Sequence, residues 1–88
     1  MLDVDKLVKG APVEWLRSDN PELGIRHGQP GRVSLPHPED VFVDWFGVSN
    51  EVLANHAAYD MEDLGHLTED EFQVRADRVR RGLPPTEG

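Results

Sequence analysis

Near the middle of the chain, Val41-Phe42-Val43-Asp44-Trp45-Phe46 is the run that most restricts the fold. Its period of two predicts a β-strand with Val41, Val43 and Trp45 on one face. The opposite face then carries Phe42, Asp44 and Phe46. A strand with aromatics on both sides needs packing on both sides. One layer buries the valines and Trp45; the other either covers the two phenylalanines or leaves them as an apolar patch.

The flanking sequence supplies further short strands. Pro12 to Arg17 reads as a first strand with Val13 and Trp15 on one face, its proline marking a start or an edge. Arg32 to Leu35 reads as a second strand, and Pro36 to Asp40 as the turn into the central run. Gly47 to Asn50 reads as a hairpin turn that returns the chain as a fourth strand over Glu51 to Ala54. Asp60 to Leu64 reads as a helical turn feeding a last strand from Leu64 to Leu67. Ahead of these, Leu2, Val4, Leu7 and Val8 fit either a helical turn capped by Asp3 or Asp5, or a leading strand; Gly10 breaks it. Ser18 to Gly31 is long for a loop and rich in turn residues, yet it carries the apolar Leu23 and Ile25.

The C-terminal element is a helix. Thr68-Glu69-Asp70-Glu71 forms a capping box, with the Thr68 hydroxyl and Glu71 carboxylate placed to satisfy free N–H groups. Acids in the first turn and Arg78, Arg80 and Arg81 in the last suit the helix dipole. Phe72, Ala76, Val79 and Leu83 share one face, and Gly82 with Pro84-Pro85 ends the element. The fold class expected is mainly β with a C-terminal helix: a five-stranded barrel over residues 10–67, the helix over 68–83, and a flexible tail over 84–88.

Residues 10–67 resemble SH3-like bacterial modules. The likeness rests on Gly10-x-x-Val13, Gly28-x-x-Gly31-x-Val33, Val41-x-Val43-x-Trp45 and a closing Asp63-Leu64. Similar spacing occurs in KOW-type barrels, the E subunit of photosystem I, the variable chain of ferredoxin–thioredoxin reductase, and small actinobacterial or phage domains. His66 to Phe72 is similar to the start of the SHOCT helix found at many bacterial C-termini. These residues are turn and core positions, so the resemblance implies an SH3-like barrel and no particular activity. KOW-type nucleic-acid binders are basic, whereas this central segment has no base. A proline-peptide groove needs several aromatics, and the Ser18–Gly31 loop has none.

Charge is unevenly placed. The 88 residues carry a net charge of −8, and residues 41–74 contain eight acids with no lysine or arginine. Such a segment repels phosphate and favours a protein partner with a basic surface patch. The alternative is a solvated face. There is no cysteine, which excludes thiolate chemistry and fits a reducing compartment. Acids at the N-terminus and the lack of a long apolar run lead to the expectation of a cytoplasmic protein, bacterial or phage in style, with no membrane partner.

No cofactor, catalytic or metal site is expected. His27, His37, His56 and His66 lack metal-ligand spacing, His56 with Asp60 being the nearest pair. Asp44 and Glu51 would face each other across the hairpin, an arrangement that can raise a carboxylate's pKa, but a domain this small has no deep pocket to use it. No phosphate-binding loop, dinucleotide fingerprint or nucleophile elbow occurs. The expected partner surface comprises Leu23, Ile25, Phe42, Asp44, Phe46, Asp60, Glu62 and Asp63. It implies a non-catalytic accessory or regulatory protein engaged in protein–protein interaction. The alternatives are a nucleic-acid- or ribosome-associated barrel, an acidic mimic of nucleic acid that inhibits a host enzyme, and a small subunit of an enzyme complex.

Overall fold

Alternation and turn chemistry place the strands close to where the sequence predicts them, in a computed structural model that describes residues 1–87. The strands are β1 (Pro12–Trp15), β2 (Pro30–Pro36), β3 (Val41–Trp45) and β4 (Leu64–His66). They form one antiparallel sheet in the order β3-β2-β1-β4. Helix α1 (Glu51–His56) follows β3, and α2 (Glu69–Arg80) follows β4; short 3₁₀ turns occupy Val4–Lys6 and Met61–Asp63. No helix among the described residues is long and apolar enough to cross a membrane.

The inner face of the sheet holds the main core. Val13, Val33, Val41, Val43 and Leu64 are almost fully buried there, with Trp15, Trp45 and Tyr59 among them. The three aromatic rings pack edge to face, with centroids 6.2 Å (Trp15–Trp45), 5.7 Å (Trp15–Tyr59) and 5.5 Å (Trp45–Tyr59) apart. Each such pair contributes about 0.5–1.5 kcal/mol beyond the area it buries. Gly31 makes this packing possible: a Cβ at that position would stand 2.6 Å from Val43 Cγ1 and 2.9 Å from Trp45 Cε3. The Tyr59 hydroxyl donates to the Ala54 carbonyl at 2.6 Å.

The sheet is open and four-stranded, which corrects the expected five-stranded barrel. Glu51–Ala54 is the reason: it forms the first turn of α1, started by the Ala54 N–H bonding the Asn50 carbonyl at 2.9 Å. Within α1 only Ala54 is buried, so the segment has none of the alternation a fourth barrel strand requires. The chain from α1 to Tyr59 lies along the outer edge of β3. Asn55 Oδ1 accepts from the Trp45 N–H at 2.9 Å, and Val41 and Tyr59 exchange backbone bonds of 3.1 and 2.8 Å. An edge closed this way has few free groups left for another strand.

Two other expectations change. The Ser18–Gly31 loop folds inward, with Asn20 and Ile25 bridged by backbone bonds of 2.7 and 3.1 Å. The tail also folds back. Pro85 is buried and the Pro84 carbonyl accepts from Arg78 Nε at 2.9 Å; the last residue of the expected flexible tail, Gly88, lies outside the described residues.

The outer face of the sheet is covered in part by α2. Leu67, Phe72 and Ala76 make a second, smaller core against Phe46, and the Phe46 and Phe72 centroids are 6.5 Å apart. Charged groups complete the attachment. Arg32 makes two bonds to the Glu69 carboxylate (2.9 and 2.6 Å) while its guanidinium lies 4.1 Å over the Phe72 ring. Arg75 bridges from α2 to Glu14 and to the Gly28 carbonyl, both at 3.0 Å. The capping box is present: Thr68 Oγ1 accepts from Glu71 N at 3.1 Å, and Glu71 Oε1 accepts from Thr68 N at 2.8 Å.

Candidate docking surface

Beyond α2, part of the outer face stays open, and one irregularity decides which residues appear there. Val33 pairs with Val43 on the inner face, but the next pair is Leu35 with Phe42, because the register shifts between Val33 and Leu35. The extra residue of a bulge re-aims the side chain after it. Strict alternation from Val33 would have sent Leu35 into the core; instead it is 51 % exposed beside the half-buried Phe42. Asp44, two residues further along β3, is exposed on the same face and pairs in register with Arg32.

Helix α1 lies along the edge of β3. Its Val52 and Leu53 are 70 % and 56 % exposed, and the bonds from Asn55 and Tyr59 fix the helix against β3. Four large apolar side chains thus reach solvent from the β2–β3 hairpin and the neighbouring α1. Acids accompany them. Asp44, Glu51, Asp60 and Glu62 are exposed and take part in none of the ion pairs among the described residues.

Of the residues expected on a partner surface, Phe42, Asp44, Asp60 and Glu62 are accessible. Asp63 is half-buried and ion-paired with Arg17, which takes it out of the free acidic set. Phe46 lies under α2, with the Arg80 guanidinium 5.2 Å over its ring. Ile25 is 1 % exposed and Leu23 packs against the main core, so the inward-folded loop does not extend the patch. Leu35, Val52 and Leu53 join the surface unforeseen. The bulge that exposes Leu35 has no signal in the local alternation, and Val52 and Leu53 carry strand-forming types within a helical turn.

Titratable groups are arranged for structure. Bonds from Arg32 and from Gln73 hold the Glu69 carboxyl at a pKa of about 2. The Thr68 backbone and hydroxyl lower Glu71. The Arg17 guanidinium is raised by its bond to Asp63, and Arg32 by its bond to Glu69. Burial raises the Tyr59 phenol, while the Trp45 indole N–H nearby opposes that rise. That indole N–H has no partner at hydrogen-bonding geometry.

Glu51 begins α1, so the hairpin that would set it opposite Asp44 does not exist. Among the described residues, no group of three His, Cys, Asp or Glu side chains gathers as a metal site. A half-open hollow of about 360 Å³ lies between the 19–29 loop, Gly47 and the end of α2, with Val79 and Leu83 on its wall. Its one buried polar side chain, Gln29, is committed to the Phe46 carbonyl and the Arg26 N–H. No protein-family model matches the chain, and no curated protein or solved structure matches it.

Proposed function

We propose that this chain is a non-catalytic accessory or regulatory module that docks onto a larger protein bearing a basic surface patch. The contact is made through the β3–α1 side. One observation carries the reading: Leu35, Phe42, Val52 and Leu53 reach solvent, the last three together with Asp44 and Glu51 in a stretch from 41 to 74 that has no lysine or arginine. Exposed apolar side chains with carboxylates near them in sequence suit a protein partner, with the apolar groups supplying affinity and the carboxylates orientation. The same charge disfavours DNA or RNA. A kinship of residues 10–67 with SH3-like modules and a cytoplasmic site of action belong to this proposal. The glycine–valine–tryptophan spacing supports the first, and the absence of cysteine supports the second.

The test compares the wild-type chain with a Leu35→Ser, Phe42→Ser double variant, used as bait in the source cell with cross-linking. A protein captured by the wild type and released by moderate salt is expected to be lost from the variant. Removing a buried aromatic anchor weakens binding by roughly 10- to 100-fold. Leu35 is exposed and Phe42 half-buried, so the variant's own stability should change by about 1 kcal/mol, read in urea alongside the capture. Equal capture by both chains overturns the reading, as does capture of nucleic acid alone.

A further inference from the structure

The N-terminal segment packs beside β4 on the side of the main core, and a histidine of β4 bonds its backbone. The Asp3 backbone N–H donates to Nε2 of His66 at 2.8 Å. Beside this bond, the Leu2 N–H donates to the Met61 carbonyl at 3.0 Å, and Leu2 is 3 % exposed within the main core. Leu7 is buried as well, while Val4 and Val8 face solvent. Residues 2–7 are therefore a strap with two apolar plugs and one imidazole latch. An imidazole nitrogen that accepts a bond carries no proton, so the latched ring is neutral with its hydrogen on Nδ1.

We infer that the N-terminal strap carries a proton-sensitive latch: protonation of His66 turns Nε2 from acceptor to donor and breaks the bond that ties the Asp3 backbone to β4. In the protonated ring two N–H groups would point at each other across 2.8 Å, and the bond cannot be re-formed by rotating the amide. The charged groups on the surrounding elements are few. The strap offers Asp3, Asp5, Lys6 and the N-terminal amine; the 61–63 turn offers Glu62 and Asp63; β1 offers Glu14. The Asp3 carboxylate is engaged with the Asp5 N–H at 3.0 Å, Asp63 with Arg17, and Glu14 with Arg75. This device stands independently of the docking surface.

Long-range proton–nitrogen correlation spectra and amide exchange of the full chain test it. At about pH 8, His66 should show the Nδ1–H tautomer and the Asp3 amide should be protected. On acidification to about pH 5, Asp3 protection, corrected for intrinsic exchange, should fall about fivefold or more, the worth of one ordinary hydrogen bond. The fall should share its midpoint with the titration of His66. A His66→Gln variant keeps an acceptor oxygen at every pH, and its strap should remain latched throughout. A His66→Phe variant should show a weakly protected Asp3 amide at both ends. An Nε2–H tautomer in the neutral form overturns the inference. So does a His66 titration that leaves the Asp3 amide unmoved, or a glutamine variant that opens at the same pH as the wild type.

Discussion

The two faces of the sheet are built by different chemistry. Inside, the interlocked rings of Trp15, Trp45 and Tyr59 sit among valines, and the only polar ends present are two indole N–H groups and a phenol. Outside, α2 buries just Phe72 and Ala76, and much of its hold comes from Arg32–Glu69, Arg75–Glu14 and the capping box. Burial is non-directional and grows with area, so the inner face forms one continuous core. Ion pairs at a half-exposed surface are individually weak. A layer with so small an apolar contact need not extend over the whole sheet, and this one leaves Leu35 exposed and Phe42 half-buried. The difference teaches why the proposed contact lies where it does: the inner layer is closed, and the outer layer is only partly covered.

The comparison is broken most strongly at its inner centre. Trp45→Ala removes a ring that touches both other aromatics and fills the space over Gly31. A loss of about 3–5 kcal/mol is expected, read as a lowered midpoint in urea with both faces unfolding together. Phe72→Ala attacks the outer layer instead, where the ring anchors α2 against Phe46 and lies beneath Arg32. Here about 3 kcal/mol is expected, near the low end for such a truncation. The helical far-ultraviolet signal should drop before tryptophan fluorescence changes. A single cooperative loss of both signals would show that the layers are not separable.

How much of this was legible in the sequence follows the same division. Every inner-face residue of β3 was readable from alternation alone, as were Val13 and Trp15, because burial imposes the period of the strand. The capping box fixed the start of α2 for an equally local reason. What escaped depends on non-local geometry. The bulge after Val33 turns Leu35 outward through pairing with β3. Glu51 to Ala54 is helical because tertiary bonds from Asn55 and Tyr59 to β3 cover the edge that a further strand would need. Leu23 and Ile25 pass into the core because the loop closes on itself at Asn20, where the side-chain oxygen accepts from the Leu23 N–H at 3.2 Å. Of the proposed contact surface, Phe42, Asp44, Asp60 and Glu62 are therefore legible in the alternation and the charge pattern, and Leu35, Val52 and Leu53 are not.

The gentlest way to sharpen the contrast is pH. Glu69, held at about 2, and Glu71, also lowered, both have folded values below those of an unfolded carboxylate. Groups of that kind contribute stability that is present above the unfolded value, about 4.3, and is lost as pH falls through the folded one. Both lie in the first turn of α2, so the window from about pH 4.5 down to about 2 should loosen the outer layer specifically. Arg32 stays charged throughout, its own value being raised. Tyr59 of the inner core behaves oppositely. Burial raises its phenol, so its contribution is complete below the ordinary tyrosine value of about 10 and is lost only as pH rises through the folded value. The two faces should therefore fail at opposite ends of the scale, α2 in acid and the aromatic cluster in alkali. Parallel titrations of helical circular dichroism and tryptophan fluorescence read the two layers separately. Glu69→Gln should flatten the acid limb of the first signal and leave the alkaline limb of the second unchanged. An acid limb that is identical in this variant would remove Glu69 from the attachment and leave the capping box and the Phe46–Phe72 contact to hold α2.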